Sequence, residues 1–281
     1  MKLRQRYLLL KKCMGEARWN SRFPTFAEKR EVFKVLYGLR YAIEIEGKGE
    51  EPVTHKVFDF NVSGTTYNEL LYLFREIFMN GQYEFKFSGD EPQIVDAGAN
   101  VGMAILYFKR RYPKCKIIAF EPNPRIFKLL QQNVEGNGLR DVTLHNVALS
   151  DKDGTIDFFV NPGNSLVSSI EKSRGGDQYI HIPTVRLSTH LSNAKFHFAK
   201  IDVEGAEQQI INDLKSTGTI TQVDQYIFEY HHNIKGAGFK LSEFLKVFED
   251  SGFSFNVRGN YDFVGDVQDI EINVIKSGAS Q

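Results

Sequence analysis

The sequence predicts an α/β protein, a doubly wound Rossmann-like sheet preceded by a mostly helical N-terminal segment. Three observations carry that expectation. From residue 93 onward short apolar runs alternate with amphipathic helical stretches, the pattern of βαβ units and a parallel sheet. The first of those runs ends in a glycine turn, Asp96-Ala97-Gly98-Ala99-Asn100-Val101-Gly102. Before residue 92 the apolar residues fall at helical spacing instead, as in Phe26, Val32, Phe33 and Leu36 and again in Leu70, Leu73, Phe74, Ile77 and Phe78. The chain therefore divides into residues 1–91, a helical cap that recognises the substrate, and residues 92–281, the cofactor-binding domain. A hairpin around Gly47 and Gly49 supplies the little strand expected in the first part.

Each later element has its own punctuation. A strand over 93–96 is followed by a helix over 101–112, which Pro113 stops. A strand over 116–120 ends in Glu121-Pro122-Asn123-Pro124, and Pro124 suits the first position of a helix over 125–137 that Gly136 and Gly138 close. A third strand covers 142–147, and 154–160 alternates like an edge hairpin. Residues 161–176 are rich in Gly, Ser and Asn and read as a long functional loop. Strands over 182–187, 196–201 and 225–230, helices over 206–214 and 241–249, and a closing antiparallel pair, 253–257 with 270–275, complete the domain.

The totals narrow the function. The 281 residues suit one sizeable domain with an appendage, and 42% hydrophobic with 25% charged residues is ordinary globular composition. Basic and acidic residues number 35 each, so no overall field holds a polyanion, and nucleic acid is not the expected partner. Cys13 and Cys115 lie far apart and in no metal-ligand spacing, which suits a reducing compartment. The basic start carries only a short apolar run over 7–10, too short for a signal sequence, and no stretch approaches the ~18 to 20 apolar residues of a membrane span. A soluble cytoplasmic protein is expected, with contact between a basic leading helix and a membrane surface as the lesser alternative.

The candidate chemistry sits at strand ends. In the 96–102 turn a carboxylate, Asp96, a bend at Gly98, Asn100 and Gly102, and a helix N-terminus meet in the crevice where nucleotides bind. The spacing from Gly98 to Gly102 is GxxxG, which is neither the dinucleotide GxGxxG nor a P-loop. With no pyrophosphate to cradle, Asp96 is free to face the ammonium of a zwitterionic cofactor such as S-adenosyl-L-methionine. An ordinary strand-to-helix turn is the competing reading. Glu121, 23 residues after Gly98, stands where a carboxylate takes ribose hydroxyls, its backbone fixed by Pro122-Asn123-Pro124, and Asn123 is counted with the cofactor site. Asn146 borders the adenine position and Ala148 leaves room for a flat ring, although Asn146 also suits a strand cap.

Two further runs carry acids and histidine. Lys200-Ile201-Asp202-Val203-Glu204-Gly205-Ala206-Glu207 places Asp202 and Glu204 on one side of the chain, where Asp202 holds the cofactor or orients a substrate hydroxyl. Helix capping competes for these acids. In Phe228-Glu229-Tyr230-His231-His232-Asn233, period two puts Glu229 and His231 on one face. His231 oriented by Glu229 makes a general base for deprotonating a hydroxyl. The same groups permit a divalent ion on Asp202 and Glu229, but the histidine is favoured and no metal is expected.

Taken in order, these runs, with Ala119-Phe120-Glu121-Pro122-Asn123-Pro124 and Asn146-Val147-Ala148-Leu149-Ser150-Asp151 between them, resemble the FkbM family of S-adenosylmethionine-dependent methyltransferases over roughly 93–275. The resemblance implies a Rossmann-like methyltransferase fold and transfer of a methyl group to a hydroxyl of a sugar, glycan or polyketide-type natural product. It implies cofactor contact at Asp96, Gly98, Asn100, Glu121, Asn146 and Asp202, and a serine pair near the cofactor at Ser168-Ser169. Where the family often carries a valine, a threonine-leucine and paired aspartates, this chain reads Val185-Arg186-Leu187-Ser188-Thr189-His190. Methylation of an amine or a nucleic acid and a non-catalytic cofactor-binding module are the alternatives. An amine-directed enzyme acting on nucleobases commonly carries an Asn/Asp-Pro-Pro-aromatic run where Asp202-Val203-Glu204-Gly205 stands, and an NAD-dependent oxidoreductase would carry GxGxxG.

Overall fold

The computed structural model describes residues 2–160, 168–169, 177–191, 194–232, 234, 240–259 and 268–277. The chain forms two compact units. One comprises Met1–Glu84, Val101–Tyr107 and Lys128–Leu139; the other comprises Phe85–Asn100, Phe108–Phe127 and Arg140–Gln281.

The first unit opens with helices α1 (Lys2–Trp19) and α2 (Phe26–Glu44). Helix α2 starts where it does because Thr25 and Glu28 form a reciprocal capping box that satisfies two orphan N–H groups. Leu9, Cys13 and Ala17, one helical stripe of α1, are buried, as are Val32, Val35, Leu36 and Leu39 of α2. Gly47 does not turn a hairpin. It adopts a left-handed φ of 75° just beyond α2, and the Lys48 N–H reaches back to the Ala42 carbonyl at 3.0 Å, so this glycine terminates the helix. The hairpin lies further on, β1 (Val53–Val57) paired antiparallel with β2 (Phe60–Gly64). Helix α3 (Tyr67–Leu73) continues into a π-helical turn, Phe74–Asn80, whose Phe74 and Phe78 rings pack with Phe58.

In the second unit β3 (Gln93–Ala97), β4 (Lys116–Phe120), β5 (Val142–His145), β9 (Phe198–Ile201), β10 (Gln225–His232), β11 (Phe253–Arg258) and β12 (Gln268–Lys276) form a seven-stranded sheet among the described residues. Its order is β11-β12-β10-β9-β3-β4-β5. The five strands from β10 to β5 are parallel, and β12 and β11 close the edge antiparallel. Strand order reverses beside β3, which places a switch point at the carboxyl ends of β9, β3 and β4. The 154–160 segment joins a separate three-stranded sheet instead of the main edge: β7 (Gly154–Phe159) pairs with β8 (Tyr179–Arg186), and β8 with β6 (Ala148–Ser150).

Helices α4 (Met103–Arg111) and α5 (Pro124–Gly136) follow β3 and β4; α6 (Leu187–Leu191), α7 (Glu207–Ser216) and α8 (Leu241–Asp250) follow later strands. Both faces of the sheet are covered. Ala199 and Ile201 of β9 join the core that Ile210, Ile211 and Leu214 of α7 and Phe244, Val247 and Phe248 of α8 build. On the opposite face Phe198 stacks on Phe85 at 4.3 Å and meets Phe108 edge-on. Period two then puts Lys200 on the Phe198 face, and it is buried.

Within the first unit two asparagines seal the edge of β2. Asn133 accepts from the Ser63 N–H at 2.7 Å and donates to the Ser63 and Val101 carbonyls at 2.8 Å each, while Asn137 brackets Asn61 in the same way. Asn133 is buried, and the Asn137 bonds lie in the open. Asn133→Ala is therefore expected to cost about 2 to 4 kcal/mol in urea unfolding, because it strands buried polar groups, and Asn137→Ala less than about 1 kcal/mol. Equal costs at the two positions would overturn this account.

Candidate active site

The carboxyl ends of β3, β4, β9 and β10 bring the candidate residues of the second unit together. Backbone bonds lock these ends first. The Phe120 carbonyl accepts from the N–H groups of Gly98 and Ala99 at 3.0 and 2.9 Å, and the Asp202 N–H donates to the Ala97 carbonyl at 3.1 Å. Gly98 has a φ of 79°, and a Cβ there would overlap the Asp202 carbonyl oxygen, so no other residue fits between the β3 and β9 ends. Gly102 belongs to the first unit, where a Cβ would lie 2.8 Å from Leu130; its φ of 90° and that contact give it a packing reason to be glycine.

Asp96 is fully buried, and neither carboxylate oxygen has a hydrogen-bond partner among the described residues. Its counter-charge is Lys200, whose ammonium lies 3.3 Å from Asp96 Oδ1 and 3.6 Å from Asp202 Oδ2 and donates to the Gly98 carbonyl. Burial lifts the Asp96 pKa above the usual carboxylate range, an effect that Lys200 only partly offsets. Burial pulls Lys200 downward, but Asp96 and Asp202 outweigh it and its pKa ends above normal.

Glu121 accepts from the Asn100 N–H at Oε2 and from the Asn123 N–H at Oε1, both at 2.9 Å. Asn100 presents its N–H from a left-handed conformation, φ 48°. Burial pushes the Glu121 pKa up to about 7 despite these two donors. Asn146 donates its amide to the Glu121 and Pro122 carbonyls at 2.8 and 3.1 Å, which clips the turn after β4 in place. Ala148 is buried in the small sheet with Phe158 and Ile182.

His231 is buried at the end of β10. Its Nδ1 lies 2.8 Å from Glu207 Oε1, while Nε2 faces Glu204 Oε2 at 3.3 Å and Asp269 Oδ1 at 3.7 Å. Glu207, the first residue of α7, thus supplies the short contact that the sequence pattern had given to Glu229. A carboxylate only accepts, so the Nδ1 that faces Glu207 carries a proton. Burial raises Glu207, but the imidazole and the Gly205 N–H outweigh it and leave its pKa below normal. Glu229 is pushed up to about 8, first by the Asp202 charge and then by burial. One ligand atom from each of Asp202, Glu229 and His231 falls within 4.8 Å of the others, so these three are the described residues able to hold a divalent ion.

Two contributors, Lys200 and Glu207, escaped the sequence reading, whereas Ser169 belongs to the serine pair expected near the cofactor. Lys200 carried a signal, a lone cation inside the apolar run Phe198-Ala199-Lys200-Ile201. Glu207 was hidden by its helix-start position, where an acid is expected on capping grounds alone. Ser169 hydrogen-bonds through Oγ to the carbonyl of Glu204, which has a left-handed φ of 56°. The remainder of the 161–176 loop lies outside the described residues. In the divergent 185–190 segment, Ser188 binds Asp213 at 2.7 and 2.8 Å, and the His190 ring lies 4.8 Å from His145 and 5.0 Å from Phe120.

Comparison with known proteins places this arrangement. The profile of the methyltransferase FkbM domain matches residues 96–255. Methyltransferase 1 of Beauveria bassiana is 32% identical over 168 residues, covering 52% of this chain and 68% of that protein. Methyltransferase sdnD of Sordaria araneosa is 32% identical over 176 residues, covering 51% of this chain and 68% of that one. The 2-O-methyltransferase NoeI of Sinorhizobium fredii is 30% identical over 163 residues, covering 50% and 66%.

Proposed function

The chain belongs to the FkbM methyltransferase family, and we propose that it transfers the methyl group of S-adenosyl-L-methionine to a hydroxyl of a sugar, glycan or related natural product. The observation that carries this reading is Asp96, a wholly buried carboxylate that has the Lys200 ammonium at 3.3 Å as its counter-charge and, among the described residues, no further donor. One ammonium leaves part of a buried carboxylate's acceptor capacity unfilled, and the amino end of the cofactor offers donors and a matching charge. The cofactor supplies an electrophilic methyl on a sulfonium. Gly98 and Asn100 shape the turn around it, Glu121 keeps acceptor capacity for ribose hydroxyls, and Asn123, Asn146 and Ala148 border the nucleoside. Asp202 lies between this end and the acceptor.

His231 removes the acceptor proton through Nε2. As it does so, Glu207 at Nδ1 and Glu204 and Asp269 on the Nε2 side stabilise the imidazolium that forms. Glu229 and Asp202 orient the hydroxyl. The name of the NoeI protein supports oxygen as the receiving atom. We assign acceptor recognition to residues 1–91 and cofactor binding to residues 92–281, and place the enzyme in the cytoplasm, which the buried free thiols Cys13 and Cys115 support. Among the described residues no helix is long and apolar enough to cross a membrane.

Calorimetry and turnover separate the roles. Asp96→Asn is expected to weaken cofactor binding roughly 10- to 100-fold. His231→Ala should leave that binding within about twofold and lower kcat by ~100-fold or more. Undiminished turnover in His231→Ala, with activity abolished by EDTA in the parent protein, would replace the histidine by a divalent ion on Asp202 and Glu229. Acidity gives an independent check. Ionised Glu121 accepts hydroxyl protons on both oxygens and its neutral form does not, so cofactor affinity should rise by up to about tenfold between about pH 6 and about pH 8. Glu121→Gln should flatten that rise; a slope that persists in this variant would assign it to another group.

A further inference from the structure

We propose that helix α1 is a docking surface for an anionic lipid bilayer. Its inner stripe, Leu9, Cys13 and Ala17, is buried. A second apolar line, Leu3, Tyr7, Leu10 and Met14, runs along the helix at spacings of four, three and four residues and is 84%, 57%, 36% and 51% exposed. Four large apolar groups in register on open helix surface have nothing to bury them in water. The helix ends on Trp19, and α2 begins on Phe26; both rings are almost bare, and large aromatic rings favour the headgroup level of a bilayer.

Charge selects the occupant. Arg4, Lys11 and Arg18, seven residues apart, form a parallel line one helical step round from the apolar one, and all three are exposed. Glu16 is the sole acid of α1, and Arg40 and Arg75 already engage it at 2.9 and 3.6 Å. Lys11 folds over the Tyr7 ring at 4.7 Å, so the cation and the apolar line are presented together. An apolar stripe bordered by lysine and arginine is the pattern of a helix that lies in the plane of an interface, with its side chains in the acyl boundary and its cations among anionic headgroups. A second copy of α1 packed antiparallel on the apolar line fits less well, because it would bring the two lines of like charge together. The acids of the sheet end lie in the other unit, so the proposal stands apart from the reading of the active site.

Flotation with vesicles of phosphatidylcholine alone and of phosphatidylcholine with phosphatidylglycerol tests it on the full chain. Binding is expected to the anionic vesicles and to be weakened by salt. Reversing the charged line with Arg4→Glu, Lys11→Glu and Arg18→Glu should reduce partitioning roughly 100-fold. Leu3→Ser, Tyr7→Ser and Leu10→Ser should abolish it while the circular dichroism and S-adenosyl-L-methionine binding of both variants stay unchanged. Equal binding to both vesicles, no binding to either, or variants that float like the parent would overturn the proposal. So would sedimentation showing a dimer that the serine variant dissolves, without any vesicle binding, since the occupant would then be a second copy.

Discussion

One buried cation holds together two of the acids at the end of this sheet. Lys200 lies 3.3 Å from Asp96 and 3.6 Å from Asp202, and its donor bond to the Gly98 carbonyl ties the same ammonium to the turn after β3. A carboxylate and an ammonium out of water are each costly, and their attraction only just balances that cost when the geometry is good and the remaining polar valences are filled. Here the valences of Lys200 are filled by backbone and acids, whereas those of Asp96 are not. The imbalance is localised on the carboxylate.

The second constraint is backbone shape. Glu204 takes a left-handed conformation, disfavoured for a residue with a side chain, yet that conformation turns its carboxylate toward His231. Ser169 holds the Glu204 carbonyl, so part of the loop after β7 stabilises an acid at the end of β9. Asn100 plays the corresponding part after β3, its left-handed backbone aiming an N–H at Glu121. In both places strain is accepted where it aims a group at the strand ends. The two halves of the site therefore depend on turns rather than on strand propensity.

This explains what the sequence revealed and what it hid. The parallel strands were legible as short apolar runs, three of them closed by Gly98, Glu121-Pro122 or Asp202, and Glu121 and Asp202 were legible because strand ends on one edge of a parallel sheet share a crevice. Glu207 was not, since an acid at a helix start has a sufficient local reason to be there, and only the fold shows that it meets a histidine 24 residues away at 2.8 Å. Asn133 was hidden for a different reason: its partners, Ser63 and Val101, are far away in the chain, and an asparagine inside a helix carries no pattern of its own. The hairpin was misplaced because Gly47 and Gly49 look like turn residues, while the turn at 58–59 is made by Phe58 in a left-handed conformation that composition does not announce.

Net charge shows the same limit in another form. Lysine plus arginine equals aspartate plus glutamate, and a sum of zero speaks against a field over the whole protein. The sum says nothing of segregation. Asp96, Asp202, Glu204, Glu207, Glu229 and Asp269 crowd one sheet end with Lys200 and His231 among them, and the exposed lines of α1 carry arginine and lysine alone. Screening confines a surface field to roughly 8 Å at physiological salt, so a zero sum does not exclude a local field within either unit. A neutral total is therefore compatible with an acidic sheet end in one unit and a basic helix in the other.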